Sequence, residues 1–319
     1  MSEKMSERAE NTVFNKLIDN FFITERFRVK ESTFSHYKNI TDSHIRPELG
    51  QARLRDIDST AVERFSYKLM TDGRKDGTGG LSAKTVRDIL SILKMILLYA
   101  TEKGYLDEKV LKFSLPRIKK QKADILKKEE TKILKSKALE SRDAYKFGVF
   151  LCLYTGLRIG EICALRWEDI DLINGVLYVN RTMLRIYSTD ENPQKKTKII
   201  TDSPKTESGR RAIPLPSSVC RELKIRSTDN PSCYVLTNSP KYIEPRLYYS
   251  KYKNFLKECG VSDHSFHALR HTFATQCASL GFDPKSLSEI LGHSDVKITL
   301  ERYVHPSMDI KRNYMNKLD

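Results

Sequence analysis

The sequence lacks both a long hydrophobic run and paired cysteines. Its longest apolar run, from Ile89 to Ala100, is interrupted by Ser91 and Lys94 and is too short to cross a bilayer. The first ten residues, MSEKMSERAE, are charged and contain no apolar stretch, so we expect no secretory signal there. The six cysteines are scattered without a CxxC pair, as is typical of reduced thiols. We therefore expect a soluble, cytoplasmic protein with no membrane partner.

A large excess of positive charge is present instead. The 319 residues include 56 lysines and arginines against 41 aspartates and glutamates, which gives a net charge of +15. Such an excess favours a polyanionic partner, most often nucleic acid. The hydrophobic share of 39% is enough to build cores and excludes disorder as the main state. The length suits two domains or one large one.

The predicted fold class is mainly α, with two domains. Helical periodicity over residues 1–111 predicts a bundle of about four helices. Residues 112–123 (KFSLPRIKKQKA) contain five basic residues, a proline and no acid, so we interpret them as a basic interdomain linker. Residues 124–319 predict a mixed, mostly helical domain with a small antiparallel sheet. Within that domain, residues 185–211 are interpreted as a long polar insert that ends in a strand.

Four short segments of the second domain stand out because they combine arginine, lysine, histidine and tyrosine. The segments are TGLRIGEICALRWEDI (155–170), SPKTESGRRAIPL (203–215), HSFHALRHTFAT (264–275) and LGHSDVKITLERYVH (291–305). Each one alone is ambiguous, because a single arginine or lysine is usually a solvated surface residue.

Three histidines also suggest a metal site. His264, His267 and His271 recur at helical spacing and could present imidazoles to zinc. There is no HExxH motif in the sequence, and Arg270 within the cluster would repel a dication. A zinc enzyme is therefore the weaker interpretation, and for His271 we expect a buried, hydrogen-bonded side chain.

Together, and in this order, the four segments resemble the tyrosine recombinase (phage integrase) family. The resemblance implies that two arginines, a lysine, two histidines and a tyrosine surround one DNA phosphate. The matching catalytic residues are Arg158, Lys205, His267, Arg270, His293 and Tyr303, with Glu161 in a supporting role. Lys198 is the alternative to Lys205. The segment PKTESGRRAIPL is more similar to integrases of phages and conjugative transposons than to the Xer resolvases.

The resemblance implies a site-specific recombinase that cuts and rejoins DNA through a 3′-phosphotyrosyl intermediate, without a cofactor or metal. The arginines would stabilise the transition state, and His267 would act as general base or acid. His293 would hydrogen-bond the phosphate, and Lys205 would protonate the leaving 5′-oxygen. Because the intrinsic pKa of tyrosine is near 10, we expect the cationic cluster to favour the phenolate of Tyr303.

The implied partner is double-stranded DNA, bound by a homotetramer on two DNA sites with accessory DNA-bending and directionality proteins. The first domain corresponds to the family's core-binding domain. Candidate DNA contacts are Lys38, Arg87 and Lys94 on its helices and Lys119, Lys120 and Lys122 in the linker. The alternative interpretation of these residues is a solvated helix face and tether.

Two alternative functions share the implied fold. A type IB topoisomerase would relax DNA by the same chemistry, without strand exchange. A catalytically silent DNA-binding regulator would keep the fold and lack the chemistry.

Overall fold

The computed structural model describes residues 12–106, 113–118, 123–190, 194–203 and 209–303, together with 308, 312, 315 and 316. The chain divides into two compact units, Met1–Gln121 with Ile186–Lys198 and Lys122–Arg185 with Ile199–Asp319. The segment Ile186–Lys198 groups with the first unit, although the sequence analysis assigns all of 124–319 to the second domain. Lys119, Lys120, Lys122 and Lys205 lie outside the described residues.

The first unit contains a helical bundle. Its helices are α1 (Phe14–Glu25), α2 (Glu31–Ile40), α3 (Arg46–Leu49), α4 (Ser59–Asp72) and α5 (Ala83–Glu102). Ser82 caps α5 by accepting a hydrogen bond from the backbone N–H of Thr85 at 3.2 Å. Eight buried apolar or small side chains of α5, from Val86 to Ala100, face α1 and α4. This pattern follows from their helical spacing.

The second unit is built around one apolar helix. Its helices are α6 (Lys128–Glu140), α7 (Ala144–Thr155), α8 (Ile159–Ala164), α9 (Ser217–Arg226), α10 (Pro245–Glu258), α11 (Phe266–Ser279), α12 (Pro284–Leu291) and α13 (Val296–Tyr303). Helix α7 is buried on all sides from Phe147 to Leu153, as expected for a helix without a polar face. It packs against α6, α10 and α11. Among the described helices, none is long and apolar enough to cross a membrane.

Five short strands complete the described part of the chain. They are β1 (Ile170–Asp171), β2 (Val176–Val179), β3 (Thr182–Tyr187), β4 (Thr197–Asp202) and β5 (Arg211–Pro214). Strands β1, β2 and β5 form an antiparallel sheet in that order, with Val179 opposite Arg211 and Leu177 opposite Ile213. The mainly helical fold with a small antiparallel sheet is therefore confirmed.

The polar insert contains a second sheet. Strands β3 and β4 pair with each other, and the residues between them belong to the first unit. There the Ser35 hydroxyl donates to the Tyr187 carbonyl at 2.9 Å, and Lys198 Nζ lies 2.9 Å from the Glu31 carboxylate. These contacts are long-range, which explains why composition alone indicates only an insert.

Candidate active site

The turn after α7 positions Arg158. Gly156 ends the helix with φ +63°, and a Cβ at this position would lie 2.6 Å from the ring of Phe273. Glycine therefore suits both the left-handed backbone and the close contact. Arg158 then begins α8, where its backbone N–H and its Nη1 donate to the Glu161 carboxylate at 2.9 and 2.7 Å.

A second arginine, Arg211, holds the same carboxylate from the sheet. Its Nη1 and Nη2 donate to the two oxygens of Glu161 at 3.1 and 2.8 Å. Both side chains are 5% exposed. Burial acts to raise the pKa of Glu161, but the hydrogen bonds and charge of Arg211, together with Arg158, outweigh it and lower the pKa to about 2. Glu161 is therefore an anion that fixes two cations.

The C-terminal end of α12 binds three arginines through consecutive backbone carbonyls. Ile290 accepts from Arg211 Nε at 2.6 Å. Leu291 accepts from Arg270 Nη2 at 2.6 Å, and Gly292 accepts from Arg158 Nη2 at 3.2 Å. These carbonyls have no partner within an α-helix and carry its partial negative charge. One helix end therefore brings the side chains of α8, β5 and α11 together. The three arginines are Arg158, Arg211 and Arg270.

Arg270 is the most deeply buried cation of this group. Its side chain on α11 is 1% exposed, and it donates to the carbonyls of Gly156 and Leu291 at 2.8 and 2.6 Å. Burial and the charge of Arg158 lower its pKa to about 9. A buried guanidinium bound to carbonyls rather than to a carboxylate is ready to receive an anion.

Tyr303 packs beside these arginines. It is 6% exposed and belongs to a small core with Ala274, Cys277, Leu287 and Leu291. Its hydroxyl lies 2.6 Å from Nδ1 of His271. The ring of His293 is parallel to it within 8°, with the two centroids 6.4 Å apart. Helix α13 thus places its tyrosine against α11 and the loop after α12.

Burial raises the pKa of Tyr303, although Arg270, Arg302 and Arg158 act in the opposite direction. The cationic cluster therefore acts in the expected direction, towards the phenolate, but burial outweighs it. The reason is that the hydroxyl lies in an apolar environment, which disfavours its charged form. The tyrosine is a neutral phenol until something accepts its proton.

The two histidines matched by the family pattern are neutral. Lost solvation, followed by the charges of His271 and Arg270, lowers the pKa of His267 to about 4. Lost solvation, followed by Arg270 and Arg158, lowers the pKa of His293 to about 3. A phosphodiester anion entering the site would oppose the contribution of the arginines to these shifts, because it adds negative charge.

The second unit brings together five of the six predicted catalytic residues and Glu161. Those five are Arg158, His267, Arg270, His293 and Tyr303. Contacts or electrostatic coupling link each of them to another member of the set. Lys205 lies outside the described residues. Its alternative, Lys198, is paired with Glu31 and Asp190 at 2.9 and 3.5 Å within the first unit.

The sequence analysis did not identify Arg211 as a functional residue. The alternation of side chains between the two faces of β5 could have identified it, because Arg211 shares a face with Ile213, which is buried. An arginine on the buried face of a strand needs hydrogen-bond acceptors there, such as a carboxylate. His271 was expected to be buried and hydrogen-bonded; it is hydrogen-bonded but only half-buried. Its hydrogen-bond partner is Tyr303, which the spacing of the two residues does not reveal.

The other predicted residues lie elsewhere. In the first unit, Arg87 is exposed on α5, while Lys38 on α2 and Lys94 on α5 are half-buried. His264, considered for a metal site, has Nδ1 2.6 Å from Asp124 and Nε2 3.3 Å from Glu130. Within the described part of the chain, no group of three metal-binding side chains is arranged to hold an ion.

Comparison with known protein families identifies the fold and its chemistry. The model of the phage integrase family matches residues 119–309, and that of the phage integrase N-terminal SAM-like domain matches residues 13–70. The chain belongs to the phage integrase family. Members of this tyrosine recombinase family break and rejoin DNA.

Similar proteins are recombinases and transposases. The tyrosine recombinase XerC-like protein of Caldanaerobacter subterraneus subsp. tengcongensis is 30% identical, over 93% of this chain and 80% of its own length. The transposase from transposon Tn916 of Enterococcus faecalis is 23% identical, over 92% and 75%. The Tn1549 transposon integrase bound to transposon right end DNA has the same fold, with a TM-score of 0.75 at 24% identity over 96% and 99%.

Proposed function

We propose that this phage integrase family member is a site-specific recombinase of a mobile element that uses Tyr303 as its nucleophile. The observation that carries the proposal is the end of α12, where consecutive carbonyls hold Arg211, Arg270 and Arg158 next to a buried tyrosine. Positive charge is concentrated there, and two neighbouring imidazoles are neutral. This arrangement suits one phosphodiester.

The residues have complementary roles in the cleavage step. Tyr303 Oη forms a bond to phosphorus, and the bond from phosphorus to the 5′-oxygen breaks. Arg158 and Arg270 neutralise the charge that builds on the non-bridging oxygens, an effect worth at least a few kcal/mol. His293 has Nδ1 bound to the Thr299 hydroxyl at 2.8 Å, which leaves Nε2 for the phosphate. His267 lies within the same charged cluster and serves as a second imidazole for proton transfer.

A lysine ammonium is proposed to protonate the leaving 5′-oxygen. We assign this role to Lys205. The ion pairs of Lys198 with Glu31 and Asp190 support the assignment, because they commit Lys198 to a structural role in the first unit. The product is a 3′-phosphotyrosyl link and a free 5′-hydroxyl. The energy of the broken bond is kept in that link, so rejoining needs no cofactor.

The first unit and the basic segment after it are proposed to bind the DNA backbone. Lys38, Arg87 and Lys94 would supply contacts from the helices, and the basic residues of the linker would supply more. The linker residues in question are Lys119, Lys120 and Lys122. The net charge of +15 supports this role, and such binding weakens steeply with salt. We place the working enzyme in the cytoplasm, on DNA, as a homotetramer on two sites with accessory proteins.

The first experiment compares wild type with Tyr303→Phe on DNA that carries the ends of the element. The phenyl ring keeps the packing of Tyr303 against Leu287 and Leu291, so DNA binding is expected to stay unchanged. A nicked suicide substrate should trap wild type as a covalent complex on a denaturing gel and trap none of the variant. A surviving adduct in Tyr303→Phe would contradict the nucleophile assignment.

The second experiment distinguishes exchange from the alternative functions. A plasmid with two sites is incubated with the protein in EDTA, and both recombinant products and supercoil relaxation are measured. Recombinants are the expected result. Relaxation without recombinants would indicate a topoisomerase, binding without cleavage would indicate a regulator, and loss of activity in EDTA would indicate a zinc enzyme.

A further inference from the structure

The nucleophile has a hydrogen-bond partner outside the six residues that the family pattern matches. Tyr303 Oη and His271 Nδ1 are 2.6 Å apart, which is a short hydrogen bond. The two rings have centroids 5.7 Å apart and are inclined by 48°. His271 lies on α11, one residue after Arg270, so it belongs to an element that the buried arginine already fixes in place.

The direction of this hydrogen bond depends on the protonation of the pair and on the tautomer of His271. Burial, then the charges of Arg302 and Arg270, lowers the pKa of His271, while Asp124 acts weakly in the opposite direction. Burial also keeps Tyr303 as a phenol. A neutral imidazole with Nδ1 unprotonated accepts, and the phenol donates. In the tautomer that carries its proton on Nε2, His271 therefore accepts the hydrogen bond of the nucleophile at Nδ1.

The other imidazoles of the cluster are less well placed to accept it. His293 Nδ1 bonds Thr299, and its ring lies parallel to that of Tyr303 at 6.4 Å between centroids. His267 contacts His271 edge to face, with centroids 4.6 Å apart. Arg302 also hydrogen-bonds Tyr303, but a guanidinium has no lone pair with which to accept a proton.

We propose that His271 is the general base of the cleavage step, a catalytic residue that orients the Tyr303 hydroxyl and takes its proton as the phosphorus bond forms. The Oη–H bond breaks and the proton goes to Nδ1. The Oη–phosphorus bond forms and the phosphorus–O5′ bond breaks. The leaving oxygen receives its proton from a different group, Lys205 in the function proposed above. His267, in contact with His271, then faces an imidazolium and the phosphate.

The proposal rests on the proposed function, in which Tyr303 is the nucleophile. The experiment tests the role of His271 separately from that of Tyr303. Single-turnover cleavage of the nicked substrate is measured for wild type, His271→Phe and His271→Asn at saturating protein. Phenylalanine keeps a ring of similar size, and asparagine keeps an oxygen near the position of Nδ1 that can accept a hydrogen bond and not a proton. Both variants should bind DNA within about twofold of wild type and cleave about 10²- to 10⁴-fold more slowly.

A change at the nucleophile itself tests the proton transfer. Fluorinated tyrosine incorporated at position 303 has a more acidic phenol and depends less on a base. In His271→Phe, the fluorinated tyrosine should raise the cleavage rate by a factor at least about tenfold larger than the factor by which it changes the rate in wild type. The inference is overturned if either His271 variant cleaves within about threefold of wild type, or if fluorination leaves the defect unchanged. An adduct formed by Tyr303→Phe would instead overturn the nucleophile assignment and leave the base without a role.

Discussion

The contribution of the Glu161 carboxylate to the free energy of unfolding can be calculated from the structure. This carboxylate accepts hydrogen bonds from Arg158 and from Arg211, and its own side chain and that of Arg211 are both 5% exposed. Glu161→Gln keeps the size of the side chain and removes its charge. Two guanidinium groups then lose the anion that holds them, and one of them is buried.

The magnitude follows from the pKa of this carboxyl. Its pKa falls from 4.5 to about 2 on folding, and each pKa unit corresponds to about 1.4 kcal/mol. The charged form therefore contributes about 3 kcal/mol to the free energy of unfolding, close to the ~3–5 kcal/mol that breaking a buried ion pair costs. We expect Glu161→Gln to destabilise the second unit by about 3 kcal/mol at pH 7.

The single tryptophan provides the assay. Trp167 is 6% exposed in the second unit, and its Nε1 donates to Asn238 at 2.9 Å. Its fluorescence during urea unfolding therefore reports that unit alone. Glu140→Gln is the matched control, because Glu140 pairs with Lys137 on the surface of the same unit. This control should leave the unfolding midpoint unchanged.

The pH dependence gives a second check on the same carboxyl. Because the pKa of Glu161 is lower in the folded protein than in the unfolded chain, its contribution is complete above about pH 4.5 and is lost as the pH falls towards about 2. The difference between wild type and Glu161→Gln should shrink over that interval. A variant no less stable than Glu140→Gln at pH 7 would refute the reasoning.

The remaining predictions concern catalysis. Arg270→Ala should reduce the cleavage rate at least about 10²-fold in a single-turnover assay. Arg226→Ala, which removes an arginine bound to the carbonyls of Leu139 and Ser141, should cleave like wild type, and equal rates for the two variants would contradict the role of Arg270. Lys205→Ala should be rescued by a substrate with a 5′-thio leaving group, which needs little protonation. If the 5′-thio substrate rescues Lys198→Ala and not Lys205→Ala, the role of protonating the leaving oxygen belongs to Lys198.

The sequence predicts much of the site because its chemistry is encoded locally. Gly156 permits the turn that presents Arg158, and Glu161 follows at the spacing of one helical turn. Ser82 caps the helix that the apolar period predicts. These features depend on neighbours in sequence, so residue order alone indicates them.

Features that depend on tertiary packing are not predictable in this way. The three carbonyls at the end of α12 bind arginines that are between 21 and 134 residues away along the chain. The arginines are Arg158, Arg211 and Arg270. The neutral phenol of Tyr303 depends on the apolar contacts around it, which outweigh the nearby cations. The pairing of β3 with β4 is likewise invisible in a polar segment without clear alternation.

The measurement that tests the central claim most directly is the identity of the residue joined to DNA. Wild-type protein is trapped on the nicked substrate, digested with nuclease and protease, and examined by mass spectrometry. We expect a single phosphonucleotide adduct on the peptide that contains Tyr303, attached through a 3′-phosphate. An adduct on any of the other 14 tyrosines, or a 5′-phosphate linkage, would contradict it.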